Sequence, residues 1–182
     1  LFGGGKETEA AVALGLEWLR AHQDRAGHWD CDGFMKLDEA PNLTDGPGNP
    51  AYDPGVTGLA LLAFMGHAES HKYGPHQKSV REGLKYLKQV QDPEGCIGPR
   101  SSKRFLYNHA IGTIALAEAY GMTGSPLFKV SAQQAVDFIM KCRNPGFVWR
   151  YGVRPRENDT SLSGWMILAL KAAKAAGLRV DL

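Results

Sequence analysis

The chain repeats itself, and that constrains its fold more than any other feature. Leu16-Glu17-Trp18-Leu19 is followed by Gln23, Gly27 and Trp29. Leu84-Lys85-Tyr86-Leu87 is followed by Gln91, Gly95 and Ile97. Val136-Asp137-Phe138-Ile139 is followed by Arg143, Gly146 and Trp149. Around each copy the apolar residues fall at helical spacing: Val12, Leu16 and Leu19; Val80, Leu84 and Leu87; Val136, Ile139 and Met140. Gly27, Pro93 with Gly95, and Pro145 with Gly146 break the helices.

A second series alternates with the first. Its members begin near Asp53, Asn108 and Asp159, each a residue type that caps helix amino ends. Pro54 suits a first helical position. These segments are apolar almost all round, as helices buried between neighbours must be. The spacing predicts helices over 6–23, 54–68, 77–91, 108–121, 126–143 and 160–176. They are ordered outer, inner, outer, inner, outer, inner. That order describes an all-α fold, an arc of an α/α-toroid, expected as one domain over 1–182 and as part of a longer toroid.

Composition narrows the function classes. With 43% hydrophobic and 22% charged residues the chain can bury a core. A net charge of +2 gives no footprint for nucleic acid. No apolar run approaches the ~20 residues of a membrane-spanning helix. Cys31, Cys96 and Cys142 are odd in number and widely spaced, as expected of free thiols rather than a disulfide framework. The sequence opens on Leu1 with no signal peptide, as expected of a processed product or a fragment, and so names no compartment.

Gln23-Asp-Arg-Ala-Gly27-His-Trp29, preceded by Leu16 and Leu19, resembles the QW motif of squalene–hopene and oxidosqualene cyclases. Gln91-Asp-Pro-Glu-Gly95-Cys-Ile97 keeps Gln and Gly but not Trp. Arg143 to Trp149 keeps Trp but not Gln. The resemblance covers most of residues 6–176, extends to protein prenyltransferases, and includes bacterial proteins with prenyltransferase and squalene oxidase repeats. It implies a cavity-forming toroid. It does not carry over a catalyst. Asp30-Cys-Asp32 and Asn158-Asp159-Thr160 do not match the Asp-rich DxDD acid of the cyclases. Ser161 stands where the prenyltransferase zinc site would need Cys after Asp159. Gly95-Cys96-Ile97 is not the thioester of complement-like toroids, and the Cys and Cys-His pairs of lanthionine cyclases are missing. Complete toroids of that family carry more than six helices, so the arc is expected to leave apolar ends for a homodimer partner or for the remainder of the ring.

The starts of the inner helices are expected at one end of the arc. Helix amino ends favour anions. Arg100, Lys103, Arg104, Arg150, Arg154 and Arg156 lie in the loops leading there, or are solvated loop charges. Arg100, Arg104, Tyr107, Arg150, Arg154 and Trp165 are the candidate ligand-binding residues, for an apolar or anionic small molecule. Asp53, His109, Glu118 and Asp159 are the weak catalytic candidates. Against each stands a plain alternative: capping for Asp53, Asn108 and Asp159, a satisfied hydrogen bond for His109, exposure for Glu118, packing for Trp165. Trp18, Trp29 and Trp149 read as packing residues.

Residues 28–53 form a long aperiodic connection carrying Asp30, Asp32, Asp38, Glu39, Asp45 and Asp53 against Lys36. Asp30-Cys31-Asp32-Gly33 lacks the further oxygen ligands of a calcium loop, so no metal site or cofactor is expected. The acids are expected to face the basic loops of the same arc or of a neighbouring subunit. Three functions remain open: a ligand- or protein-binding scaffold, an enzyme of isoprenoid substrates, and a carbohydrate-active enzyme on the same scaffold.

Overall fold

A computed structural model describes residues 4–146 and 148–181. Among them are six α-helices: α1 (Lys6–Ala21), α2 (Asp53–Gly66), α3 (Gln77–Gln89), α4 (Phe105–Thr123), α5 (Pro126–Cys142) and α6 (Thr160–Ala175). There are no strands among the described residues beyond isolated bridges in the turns. The fold is all-α, an arc of outer and inner helices in alternation.

The inner helices α2, α4 and α6 stand in a row, with α4 in the middle, α3 outside α2 and α5 outside α4. Small residues let the row close up. A Cβ on Gly58 would lie 2.8 Å from Ile111 Cγ2, and one on Gly55 would lie 2.6 Å from Asn108 Oδ1. On α3, Val80, Leu84 and Leu87 are fully buried beneath a polar outer face, each such burial stabilising by roughly 2 kcal/mol. Trp29 and Trp149 are buried too, whereas Trp18 is half exposed and stacks on His22 at 3.9 Å. On α1 only Leu16 is buried, and Val12 lies at its exposed side.

The turns after the outer helices share a hydrogen-bond scheme. Gln23 Nε2 donates to the carbonyls of Gly27 (2.8 Å) and Ser79 (2.9 Å), and Gln91 Nε2 donates to those of Gly95 (3.0 Å) and Ser131 (2.9 Å). The indole N–H of Trp29 donates to the Leu19 carbonyl at 2.8 Å, and that of Trp149 to the Ile139 carbonyl at 2.9 Å. Each glutamine thereby ties its turn to the next outer helix.

The backbone N–H groups of Trp29, Ile97 and Trp149 end on Thr57 Oγ1, His109 Nδ1 and Ser163 Oγ. Thr57, His109 and Ser163 are therefore equivalent positions on the inner helices. This register corrects the alignment of Asn108 with Asp53 and Asp159, since Phe105 holds that place. α4 begins three residues earlier than expected because Phe105 and Leu106 are buried and extend its apolar surface. Asn108 is consequently no cap. It is buried inside the helix and donates Nδ2–H to the Ala51 carbonyl at 2.6 Å.

Candidate functional site

The start of α6 gathers several predicted residues. Asp159 closes its first turn, accepting the Leu162 N–H at 2.8 Å. Its own N–H donates to the Trp149 carbonyl, which fixes the preceding basic loop against the helix. Ser161 Oγ donates to Asp159 Oδ1 at 2.7 Å, and Tyr151 OH donates to Oδ2 at 2.7 Å. Tyr107, from the first turn of α4, places its hydroxyl 2.5 Å from Ser161 Oγ and 3.3 Å from Asp159 Oδ1. The guanidiniums of Arg104 and Arg150 lie 5.6 and 5.4 Å from the centre of the Tyr151 ring. Arg150 also pairs with Glu157.

These donors decide the charge of Asp159. The Leu162 N–H, then the Ser161 and Tyr151 hydroxyls, hold its carboxyl well below the usual range, while the carboxylate pushes the Tyr151 phenol up. Asp159 is the hydrogen-bond hub of this cluster, and its donors favour the ionised carboxylate. Asp159→Ala is expected to remove the cap and lower stability by about 1–2 kcal/mol. Asp159→Asn is expected to keep most of it, because its amide oxygen still accepts. Thermal denaturation of the two variants checks this, and equal losses would refute the capping role.

The other candidates lie elsewhere. His109 is fully buried: Nδ1 accepts the Ile97 N–H at 3.1 Å, so Nε2 carries the proton and meets the Ala135 carbonyl at 3.1 Å. Burial pushes its pKa down to about 3, so it stays neutral, with both ring nitrogens bonded inside the core. Glu118 is exposed on α4. Arg100 pairs with Asp92 at 2.5 Å and lies over the Phe138 ring, away from the Asp159 hub. Arg154, at φ 50°, donates Nε–H to the Lys141 carbonyl at the end of α5. Trp165 is half-buried on α6 and packs against the core. Tyr151 was not among the candidates, although a phenol one residue from Arg150 in a basic loop is the signal that marks it.

Asp53 is buried at the start of α2, behind a short 3-10 turn (Pro50–Tyr52) that Asn49 caps. Its side chain does not cap α2. Oδ1 accepts the Cys31 N–H at 3.0 Å, and Oδ2 lies 3.7 Å from His28 Nε2. Cys31, Asp32 and Asp53 present ligand atoms within 4.8 Å of one another, the one such set among the described residues that could hold a metal ion. The thiol donates to the Asn49 carbonyl, and burial, then Asp53, push its pKa up to about 12. A metal would have to displace that proton.

The acids of residues 28–53 take partners nearby. Asp38 accepts from His22 and Thr44, and Asp30 from the N–H groups of Asp32 and Gly33. Among the described residues, the expected contact with the basic loops of the same arc is not formed. Arg100 and Arg150 have acids of their own, and the Arg156 N–H donates to Asn144 Oδ1. An apolar groove of about 390 Å³ opens between α1 and α2, lined by residues including Trp18, Phe34, Val56, Leu59 and Ala63, and shares no lining residue with the Asp159 hub.

No family model matches the chain, and no solved structure matches it significantly. Two curated proteins do. One is a probable squalene–hopene cyclase of Sinorhizobium fredii, 24% identical over 181 residues, covering 93% of this chain and 27% of that protein. The other is a squalene–hopene cyclase of Bradyrhizobium diazoefficiens, 23% identical over 176 residues, covering 91% and 26%. The chain spans about a quarter of the length of the curated relatives it matches. In fold it is an all-α arc, and in sequence it is similar to part of a squalene cyclase. No helix among the described residues is long and apolar enough to cross a membrane.

Proposed function

We propose that this cyclase-like repeat unit is a binding scaffold, with the Asp159 hub as its ligand-recognition point and no catalytic role. The observation that carries this reading is the state of Asp159. A general acid must hold a proton near working pH. Asp159 instead accepts from a backbone N–H and two hydroxyls, which favour its ionised form. Asp53 is likewise committed, to a backbone N–H. What the hub offers is two guanidiniums around a phenol, suited to an anionic group. The QW-like turns are read as the structural repeat of the family, joining one helix pair to the next.

The runner-up is an enzyme acting on squalene-like or prenyl diphosphate substrates. It is favoured by similarity to squalene–hopene cyclases along nearly the whole chain. Thermal melts with pyrophosphate, farnesyl diphosphate and squalene in detergent, together with product analysis, separate the two. The scaffold reading expects both diphosphates to raise the melting temperature, by about 2.7 kcal/mol of stabilisation at a hundredfold excess over Kd. It expects that shift to vanish in an Arg104→Ala/Arg150→Ala variant, and no product to form. Turnover of squalene or farnesyl diphosphate would sink it. A shift with farnesyl diphosphate but not pyrophosphate would also favour the enzyme.

A further inference from the structure

The two ends of the helix row are complementary, and we infer that this chain associates head to tail with a second copy of itself, α6 of one copy seating on α2 of the next. The inference stands on the packing register and is independent of any ligand at Asp159.

The register set by Thr57, His109 and Ser163 makes Gly58, Ala110 and Gly164 equivalent, as it does Leu59, Ile111 and Trp165. Within the chain, Gly58 seats Ile111 and the backbone of Gly112. Each inner helix thus has one side that receives its successor and another that rests on its predecessor. On the receiving side, Gly58 and Ala110 are buried, whereas Gly164 is exposed and a Cβ there would meet nothing within 4 Å. One turn further along the same side, Leu61 and Thr113 are fully buried, but Ile167 is 54% exposed. On the resting side the pattern reverses. Ile111 is 8% exposed, whereas Leu59 on α2 is 47% exposed beside the groove between α1 and α2. The open receiving side of α6 and the open resting side of α2 are the two halves of a contact the chain already makes within itself.

The turns supply a second, separate observation. Gly27 presses on the backbone of Glu82 in α3, and Gly95 on that of Gln134 in α5. Gly146 has the same left-handed conformation, φ 86°, yet nothing lies within 4 Å of where its Cβ would be. Glu82 and Gln134 each stand two residues before the core residue of the repeat, Leu84 or Val136. The matching residue of α1 is Leu14, which is 72% exposed, and Gly15 beside it is open. Turn and inner helix both dock on the helix pair that follows them. The third turn and α6 therefore call for one pair, and α1 with α2 displays the matching faces, apolar and bare. Such a contact is heterologous, so it closes into a ring where the rotation allows and otherwise grows as a filament.

Sedimentation velocity over a wide concentration range tests this, with two variants. Gly164→Leu fills the receiving side where the isolated chain has free space, and Leu59→Glu charges the resting side at an exposed position. The wild type should associate with rising concentration. Each variant should keep its helical circular dichroism and melting temperature and associate roughly tenfold more weakly or worse. An equimolar mixture of the two should form a pair and stop there, since only one sound junction remains. Association of Gly164→Leu as tight as wild type would overturn the inference. So would a wild type that stays monomeric throughout, which would leave these faces to a helix pair from a longer polypeptide.

Discussion

Replacing Gly95 by alanine is expected to destabilise the chain by roughly 2–5 kcal/mol, a large fraction of the net stability of a typical domain. Two effects add. Gly95 has φ 96°, a region that L side chains rarely adopt, which costs about 1–2 kcal/mol. Its Cβ would also lie 2.2 Å from the Gln134 carbonyl oxygen, a backbone atom of α5 that cannot swing aside. Forcing the turn off α5 strains the Gln91 bonds to Gly95 and Ser131 and disturbs the packing of Ile97, costing a further 1–3 kcal/mol or so. Gly124→Ala isolates the first effect, for Gly124 ends α4 at φ 59° with nothing within 4 Å. Urea denaturation should place Gly124→Ala near 1–2 kcal/mol and Gly95→Ala well beyond it. Equal losses would mean that the turn-to-helix contact holds nothing together.

The helical frame is legible in the sequence because burial leaves a pattern in residue type. α3 shows a helical stripe, and α4 is apolar all round because it lies between α2 and α6 with α5 outside it. Helix ends are less legible. Asn108 has the composition of a cap, but capping depends on where the backbone turns, and burial of Phe105 and Leu106 moves that point upstream. Asp53 fails as a cap for a related reason: a 3-10 turn capped by Asn49 already leads into α2. Side-chain direction is the hardest to read. Arg104, Tyr107, Arg150 and Asp159 converge, whereas Arg100 and Arg154, equally basic and in the same loops, turn towards Asp92 and the end of α5. Loop charge is written in the sequence, but the partner that settles each side chain lies on another helix.

The second large effect is an acid-induced loss of stability that centres on His109. Burial dominates its shift, with the Ala135 hydrogen bond and Asp92 opposing and Arg100 adding a little, and the folded pKa falls to about 3. The unfolded chain's histidine has its ordinary value near 6.5. A depressed folded value means that the unfolded state binds the proton first. Stability is therefore full above pH 6.5 and falls as pH drops from there towards 3. The loss from this residue is about 2 kcal/mol at pH 5, where unfolded carboxyls near pH 4 still contribute little. His71 acts in the same direction, buried against Phe128 with Lys72 and Arg81 nearby and neither ring nitrogen hydrogen-bonded within the protein. His109→Gln is the discriminating variant. Its amide can accept the Ile97 N–H and donate to the Ala135 carbonyl but cannot titrate. Denaturation between pH 7 and pH 5 should show a shallower decline for His109→Gln than for wild type. His109→Ala, which orphans the Ile97 N–H and leaves a cavity, should lose roughly 3–5 kcal/mol at pH 7 itself. Parallel pH profiles for wild type and His109→Gln would refute a titrating role for this histidine, whatever the alanine variant does.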